Sequence, residues 1–250
     1  MLLYRGSNKV IRQPKINPKS ILLDCGEGAY FRTSKKEAAR DAQEITKRLK
    51  CGQPIINVYQ ADLLEIKKLK VLNLKQPNME WLQFLADCRS GRYSGSEYDI
   101  IFALDAGKRF HYALRNFNDQ DMSKANINFY LNGPAWLKDK YIPFMQVVFK
   151  TEKALSLLSF KESMAIKQQH KFKNEVGLDF ACDNIISLIN YAAEKTGNSD
   201  LELLKKLYCS NLYTDLTDPY LKTWQLSGRA LGEILLEELA SGKLFYPDED

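Results

Sequence analysis

Two glycine-containing segments near the start of the chain place the strongest constraint on its fold. Arg5-Gly6-Ser7 follows a short apolar opening, and Gly26-Glu27-Gly28-Ala29-Tyr30-Phe31 comes after an intervening loop. A glycine lets backbone N–H and C=O groups approach a bound molecule closely, and the face of a tyrosine can cover a flat ring. The two segments therefore predict a short strand and a glycine bend that together hold a flat, ring-shaped ligand.

The composition is that of an ordinary globular protein. Of the 250 residues, 45% are hydrophobic and 27% are charged, which suffices for one large domain, or for one domain with a helical extension. No apolar run is long enough to span a bilayer, and the first residues lack the basic segment and long apolar stretch of a signal peptide. We expect a cytoplasmic protein with no membrane partner.

The cysteines and histidines argue against a metal site. The five cysteines are scattered without a CxxC or CxxH pair, and the two histidines, His111 and His170, are far apart. Zinc sites need closely spaced ligands, and disulfide frameworks usually need an even set of cysteines. We therefore expect no metal cofactor and no Ser-His-Asp catalysis.

Charge is distributed unevenly along the chain. Residues 1–160 carry 26 Lys and Arg against 16 Asp and Glu, whereas residues 161–250 carry 10 against 15. The basic part favours an anionic cofactor or nucleic acid, and an acidic tail could cover that surface. The alternative is an incidental difference between solvated faces.

Strand and helix patterns are mixed through the first 160 residues. Strands are predicted at Leu2–Arg5, Ile55–Gln60, Lys70–Leu74, Tyr98–Ala103 and Phe144–Phe149. The last two are nearly all apolar and are expected at the centre of a sheet. Helices are predicted from a capping box at Ser34 to about Lys50, at Pro77–Arg89 and at Glu152–Leu158.

After residue 160 the pattern becomes helical. Helices are predicted at Leu178–Lys195, ending before Gly197, at Asp200–Cys209, and at Gly228–Ala240, ending before Gly242. A polar segment, Lys161–Glu175, is predicted to form a linking helix. We therefore predict an α+β domain at 1–160 and an all-α C-terminal domain at 161–250.

Three segments now stand in order along the chain: Leu3-Tyr4-Arg5-Gly6-Ser7, Gly26-Glu27-Gly28-Ala29-Tyr30-Phe31 and Gln146-Val147-Val148-Phe149. This arrangement resembles the ADP-ribosyltransferase superfamily, in a bacterial, toxin-like branch distantly similar to the poly(ADP-ribose) polymerases. The resemblance covers roughly residues 1–160. It implies a split β-sheet core with flanking helices that binds NAD as co-substrate.

The resemblance also implies roles for individual residues. Gly6 would hold the nicotinamide carboxamide through its backbone, with the Ser7 hydroxyl as a further contact, and Tyr30 would stack on the nicotinamide ring. Gln146 falls where the family has its catalytic glutamate, and Arg5 would pair with the phosphates or brace the ribose. Gly28 completes the implied NAD-binding set, and the implied catalytic residues are Gln146, Arg5 and Tyr30.

The chain departs from the family at several positions. Arg5 stands where one group has histidine, Ala38-Ala39-Arg40 offers no second stacking aromatic, and Gln146 cannot ionise. These differences argue against polymer formation and leave mono-ADP-ribosylation and a disabled site as the two alternatives. A purely structural alternative makes the glycines a tight strand connection, Tyr30 a core aromatic, Gln146 an edge-facing polar residue and Arg5 a surface ion-pair partner.

The leading hypothesis is an NAD-dependent mono-ADP-ribosyltransferase, the toxin of a bacterial toxin–antitoxin or phage-defence system, acting on nucleic acid or protein. The alternative is a disabled module of the same fold that binds NAD, a nucleotide or a protein. A third interpretation is a nucleic-acid-binding protein that uses Tyr93, Tyr98 and Tyr112. The segment Asp218–Trp224 looks like small helical proteins found beside such transferases, which implies a fused partner that docks on the transferase, buries Trp224 and controls access. The structural alternative is a helical extension that completes the hydrophobic core. A separate small helical antitoxin is a further expected partner.

Overall fold

The computed structural model describes residues 1–18, 20, 23–93, 97–105, 144–167, 178–218, 221, 223 and 226–246, with the backbone alone at 178–183. The chain divides into two compact units, Met1–Gln168 and Gln169–Glu249. Within the described ranges, none of the helices is long and apolar enough to cross a membrane. Predictions that involve Tyr112, Trp224 and the two histidines fall outside these ranges.

The first unit is built on a mixed seven-stranded sheet flanked by helices, so the predicted α+β class is confirmed. The strands are β1 (Leu2–Ser7), β2 (Ala29–Arg32), β3 (Ile55–Ala61), β4 (Val71–Leu74), β5 (Ile100–Leu104), β6 (Met145–Phe149) and β7 (Leu158–Ala165). Their spatial order is β4-β5-β6-β2-β1-β3-β7. Neighbouring strands are antiparallel except β4 and β5, which are parallel.

Among the described residues of this unit, the helices are α1 (Lys35–Leu49), α2 (Leu63–Ile66), α3 (Met79–Arg89) and α4 (Glu152–Leu155). Each begins after a polar cap whose side chain accepts a backbone N–H of the first turn, and these caps are Ser34, Asp62, Asn78 and Thr151. Such caps satisfy donors that the helix itself leaves unbonded. Local sequence therefore fixes where these helices start.

Alternation along the strands divides the core between the two faces of the sheet. On one face, α3 covers β4, β5 and β6 through Trp81, Leu82 and Leu85, and α1 covers β1 and β3 through Ala38. We call this the α1/α3 face. On the other, the α2/α4 face, Leu3, Phe31, Tyr59, Val147 and Phe149 pack with Ile66 and Leu155. Successive side chains of a strand point to opposite faces, so neighbours in sequence separate into the two layers.

The seam between β1 and β2 is the narrowest junction in the sheet. β1 pairs with β3 at six positions, from Leu2 to Ser7, but pairs with β2 only at Tyr4 and Arg32. The sheet thus consists of two parts, β7-β3-β1 and β2-β6-β5-β4, that meet along a short seam. This arrangement matches the split β-sheet core that the resemblance to the ADP-ribosyltransferases implies.

The second unit is helical, as predicted. It contains α5 (Leu178–Thr196), α6 (Asp200–Tyr208), α7 (Asn211–Thr217) and α8 (Gly228–Ser241), and Gly197 and Gly242 follow α5 and α8 in the left-handed conformation. Its core includes Leu188, Ala192, Leu203, Leu212, Leu231 and Leu235. The buried carboxylate of Glu238 accepts the backbone N–H groups of Asn211 and Leu212, at 2.7 and 3.1 Å, and so caps α7.

Two helix predictions are wrong around residue 160. The helix predicted at Glu152–Leu158 ends at Leu155, and Leu158–Ala165, which overlaps the predicted linking helix, is strand β7 at the sheet edge. Most β7 side chains are exposed or half-buried. The apolar residues change face along the strand, because a register shift opposite Val58 and Tyr59 separates Leu158 and Phe160, on the α2/α4 face, from Met164, on the α1/α3 face. This change interrupts the alternation by which strands are recognised in a sequence.

Gly6 is where α1 packs directly on the backbone of β1. A Cβ atom placed on Gly6 would overlap the Ala38 carbonyl oxygen and the Ala42 amide nitrogen of the helix. These are backbone atoms, which cannot rotate away as the end of a side chain can. The glycine is therefore required for this contact, whatever else it binds.

We expect Gly6→Ala to lower the free energy of unfolding by about 1–3 kcal/mol, because the added methyl group must push α1 away from β1. Urea unfolding measures this change. Leu2→Ala, at an exposed position of the same strand, is the control and should cost less than about 1 kcal/mol. Equal costs for the two variants would contradict the close packing at Gly6.

Candidate functional site

Gly6, Tyr30 and Gln146 lie on the same face of neighbouring strands. In the pairing of β2 with β6, Arg32 stands opposite Gln146 and Tyr30 stands opposite Val148. Tyr30 and Val148 belong to the apolar cluster under α3, and Gly6 lies against α1. The three predicted residues are thus gathered on the α1/α3 face, around the seam.

Arg5 and Ser7 lie on the opposite face. Arg5 is 9% exposed, and its guanidinium carbon is 5.9 Å from the ring centre of Phe31, a core residue of the α2/α4 face. The Ser7 hydroxyl accepts the backbone N–H of Lys9 at 3.3 Å. Arg5 is therefore buried rather than at the surface, and the structure does not bring these two residues to the face of the other three.

Tyr30 fastens the bend formed by residues 24–26. Its hydroxyl donates to the Gly26 carbonyl oxygen at 2.6 Å and accepts the Cys25 N–H at 3.1 Å. Burial raises the pKa of Tyr30, so its hydroxyl stays protonated and can both donate and accept. The Nζ of Lys150 holds the same bend by donating to the Cys25 carbonyl oxygen at 2.8 Å, and burial lowers the pKa of that amine.

A buried carboxylate in the bend contacts Gln146. Asp24 is 9% exposed and Gln146 is 5% exposed. The Nε2 of Gln146 donates to Asp24 Oδ2 at 3.3 Å, while Arg89, the last residue of α3, places Nε and Nη2 at 2.7 and 2.5 Å from Asp24 Oδ1. The bend, α3 and β6 therefore meet at one carboxylate.

Gly28 is held by the loop that precedes the bend. Its N–H donates to the Ser20 hydroxyl oxygen at 2.9 Å, and its carbonyl oxygen accepts from that hydroxyl at 3.2 Å and from the Asn17 N–H at 3.4 Å. A Cβ on Gly28 would overlap the Val148 side chain. The glycine therefore serves close packing against β6, and its backbone groups bond within the chain.

Arg32 links three elements beside Gln146. Its Nε is 2.8 Å from an oxygen of Asp41 on α1, and its Nη1 is 2.7 Å from an oxygen of Asp105 after β5. Burial alone would lower the pKa of the Arg32 guanidinium, but the two carboxylates outweigh it and raise that pKa above its usual value. One cation between two carboxylates leaves the group with a net negative charge.

A further acidic residue, Glu37, lies at the start of α1. It is 1% exposed, and its Oε2 is 2.7 Å from the Nη2 of Arg40. Burial raises the pKa of the Glu37 carboxyl, although Arg40 acts in the opposite direction. The backbone N–H of Glu37 donates to Ser34 Oγ at 3.5 Å, which is the N-cap bond of the predicted capping box.

Sequence reasoning missed Asp24, Arg32, Asp41, Glu37, Arg89 and Asp105. A local signal existed for Arg32, which alternates with Tyr30 along β2 and must share its face. Asp24 stands two residues before Gly26 and could have been included in the bend. Arg89 and Asp105 reach the site only through the packing of α3 and β5, so their neighbours in sequence give no sign of it.

The site offers hydrogen-bonding and electrostatic groups. Within the described ranges there is no cluster of three or more His, Cys, Asp or Glu side chains that could hold a metal ion. It contains a half-buried tyrosine ring, an amide next to a carboxylate, and an arginine between two carboxylates. Such groups can orient hydroxyl groups and stabilise developing positive charge.

Comparison with known protein families matches residues 1–160 to the family described as "Protein of unknown function (DUF3990)". The chain therefore belongs to this family, and the match spans the strands and helices that carry the site. None of the curated proteins and none of the solved structures in the comparison matches the chain.

Tyr30→Phe should lower the free energy of unfolding by about 1–3 kcal/mol, because it removes the hydroxyl that satisfies Gly26 and Cys25. Tyr4→Phe, on the neighbouring strand, is the matched control, and urea unfolding of both variants makes the comparison. A Tyr30→Phe protein as stable as the wild type would show that the bend does not depend on this hydroxyl.

Glu37→Gln should raise thermal stability more at about pH 7.5 than at about pH 4. The pKa of the Glu37 carboxyl is higher in the folded protein than its unfolded value near 4.5. At a pH between these two pKa values, the folded protein therefore binds more protons than the unfolded chain. Stability therefore falls as the pH rises through that window, and glutamine removes this loss. Melting curves at both pH values, with Glu44→Gln as a control for losing a carboxylate near Arg40, measure the effect. A larger gain at the lower pH would contradict the sign.

Proposed function

We propose that this member of the DUF3990 family is an NAD-dependent mono-ADP-ribosyltransferase, acting as the toxin of a bacterial toxin–antitoxin or phage-defence system. One observation carries the proposal. The third segment that resembles the ADP-ribosyltransferases is separated along the chain from the first two by β3, β4 and β5, yet the three segments lie on adjacent strands in the order β1-β2-β6. Gly6, Tyr30 and Gln146 share one face of these strands, beside the narrow seam.

The chemistry of the proposed reaction matches the groups at the site. Breaking the bond between nicotinamide and ribose develops positive charge on the ribose, as in glycoside cleavage. The Oε1 of Gln146 can accept a ribose hydroxyl, while the carboxylates around Arg32 contribute negative charge near the developing cation. The ring of Tyr30 can stack on nicotinamide, since its hydroxyl is engaged at the ring edge and not over its face.

Arg5 and Ser7 take a different part in this proposal from Gly6 and Tyr30. Because Arg5 lies against Phe31 on the α2/α4 face, its position favours bracing β1 over contact with the NAD phosphates. Ser7 holds the turn that follows β1. The NAD contacts therefore fall to residues of the α1/α3 face, with Gly28 supporting the strand that carries Tyr30.

The acceptor is proposed to be a macromolecule. The excess of basic residues in 1–160 favours nucleic acid through its phosphates, and protein side chains are the other class. A small helical antitoxin remains the proposed partner. The protein is proposed to act in the cytoplasm, where NAD is available.

NAD binding and turnover test the proposal directly. Isothermal titration should detect NAD binding, and mass spectrometry should detect released nicotinamide. Tyr30→Ala should weaken NAD binding about five- to tenfold, because stacking supplies about 1.0–1.4 kcal/mol. Tyr30→Phe keeps the ring and should retain the affinity. The wild type should be toxic on expression, and Tyr30→Ala should abolish the toxicity.

Absence of binding at millimolar NAD by a folded wild-type protein would overturn the proposal. Equal affinity of Tyr30→Ala and Tyr30→Phe would contradict the stacking role of the ring. Melting curves of each variant establish that the protein compared is folded.

A second candidate is a module of the same fold that has lost turnover. The observation favouring it is that the Tyr30 hydroxyl and the Gln146 amide both bond to the bend at residues 24–26, where they serve the structure without any ligand. The same titration, together with the mass-spectrometric assay for nicotinamide, separates the two candidates. NAD binding without nicotinamide release, with or without acceptor, would identify the disabled module.

A further inference from the structure

We propose that Asp24 is a positioning residue of the transfer site, which fixes the orientation of the Gln146 amide and is itself held by Arg89. This inference rests on the function proposed above and concerns a residue that no part of the family resemblance assigns. It starts from the contact between Gln146 Nε2 and Asp24 Oδ2 at 3.3 Å.

The carboxylate decides which end of the amide points towards it. An ionised carboxylate can only accept hydrogen bonds, whereas an amide presents an NH2 donor at one end and a carbonyl acceptor at the other. The opposite orientation would place Gln146 Oε1 against a carboxylate oxygen with no proton between them. Asp24 therefore receives Nε2, and Oε1 becomes the acceptor for a ribose hydroxyl.

Arg89 makes this arrangement possible inside the protein. An isolated buried carboxylate is costly, and pairing it with an arginine that donates two hydrogen bonds offsets much of that cost. The Nε and Nη2 atoms of Arg89 both approach Asp24 Oδ1. The other oxygen, Oδ2, contacts Gln146. The two oxygens of Asp24 are thus divided between the cation of α3 and the amide of β6.

The arrangement also accounts for the amide at position 146. A glutamate there would set a second carboxylate against Asp24, and two carboxylates in contact resist ionising together. The contact needs one carboxylate, which only accepts, and one amide, which donates. The carboxylate and the amide can be exchanged between positions 24 and 146. Asparagine at 24 with glutamate at 146 keeps a donor–carboxylate contact and keeps a negative charge near Arg89.

The experiment compares nicotinamide release by Asp24→Asn, Gln146→Glu and the double variant, with kcat expressed per folded molecule. Asp24→Asn should lower kcat about 10–100-fold, because a misplaced amide costs orientation at the reacting centre. Its KM for NAD should change less than about threefold, since in this proposal Asp24 acts through Gln146 and not on NAD itself. The double variant should recover at least about tenfold in kcat over Asp24→Asn.

Asp87→Asn provides the matched control. Asp87 lies on α3, as Arg89 does, and pairs with Arg92 at 2.8 Å. This pair is more exposed than the pair of Asp24 with Arg89. The control loses an Asp–Arg pair without touching Gln146, and its kcat should stay within about twofold of the wild type.

The outcomes separate this inference from the transferase function. If the wild type is active and Asp24→Asn retains its kcat, Asp24 is no positioning residue, while the transferase function stands. If the wild type neither binds NAD nor releases nicotinamide, the function itself is overturned, and the inference with it. Should Asp24→Asn fail to fold, the double variant decides alone: activity supports the exchange, and a folded but inactive protein overturns it.

Discussion

The short strand β2 is the element on which the rest of the first unit depends. Phe31, fully buried at its centre, packs edge-on against Tyr59 of β3 and Phe149 of β6, with ring centres 5.2 and 5.3 Å away. These two aromatics belong to different parts of the split sheet. The ring contacts of Phe31 therefore hold together two halves whose backbones pair at a single position, and they leave the other face of the seam to polar side chains.

The polar groups on that other face carry a large cost of burial, which the structure offsets by pairing them. Arg32 meets two carboxylates, Asp24 meets Arg89 and Gln146, and Lys150 meets a carbonyl oxygen of the bend. An apolar seam would hold the sheet together at lower cost, because paired buried charges rarely add stability over hydrophobic packing. This concentration of buried polar groups at one place is typical of a functional site.

Much of the framework follows from local sequence, and most of the polar site does not. The apolar runs at 55–61, 100–104 and 145–149 are strands, and Ser34, Asn78 and Ser199 start helices close to where their patterns predict. By contrast, the apolar side chains of β7 change face at a register shift, and this interrupts the alternation. The spatial neighbours of β2 could be guessed only through a family resemblance, since strand order depends on contacts between distant segments. Asp24 and Arg89 show the same limit for side chains, because their contact joins a bend to the end of a helix 65 residues away.

Gln146 illustrates how a site residue can be misjudged when it is considered alone. Taken by itself, the amide counts against activity, since the resemblance to the ADP-ribosyltransferases implies an ionisable glutamate at this position. In the structure it adjoins a buried carboxylate that already has its own arginine. A carboxylate at both positions would share one cation at hydrogen-bonding distance and raise the cost of ionising either. A carboxylate is therefore already present on the bend next to position 146, and an amide can donate to it while still offering an oxygen to a hydroxyl group.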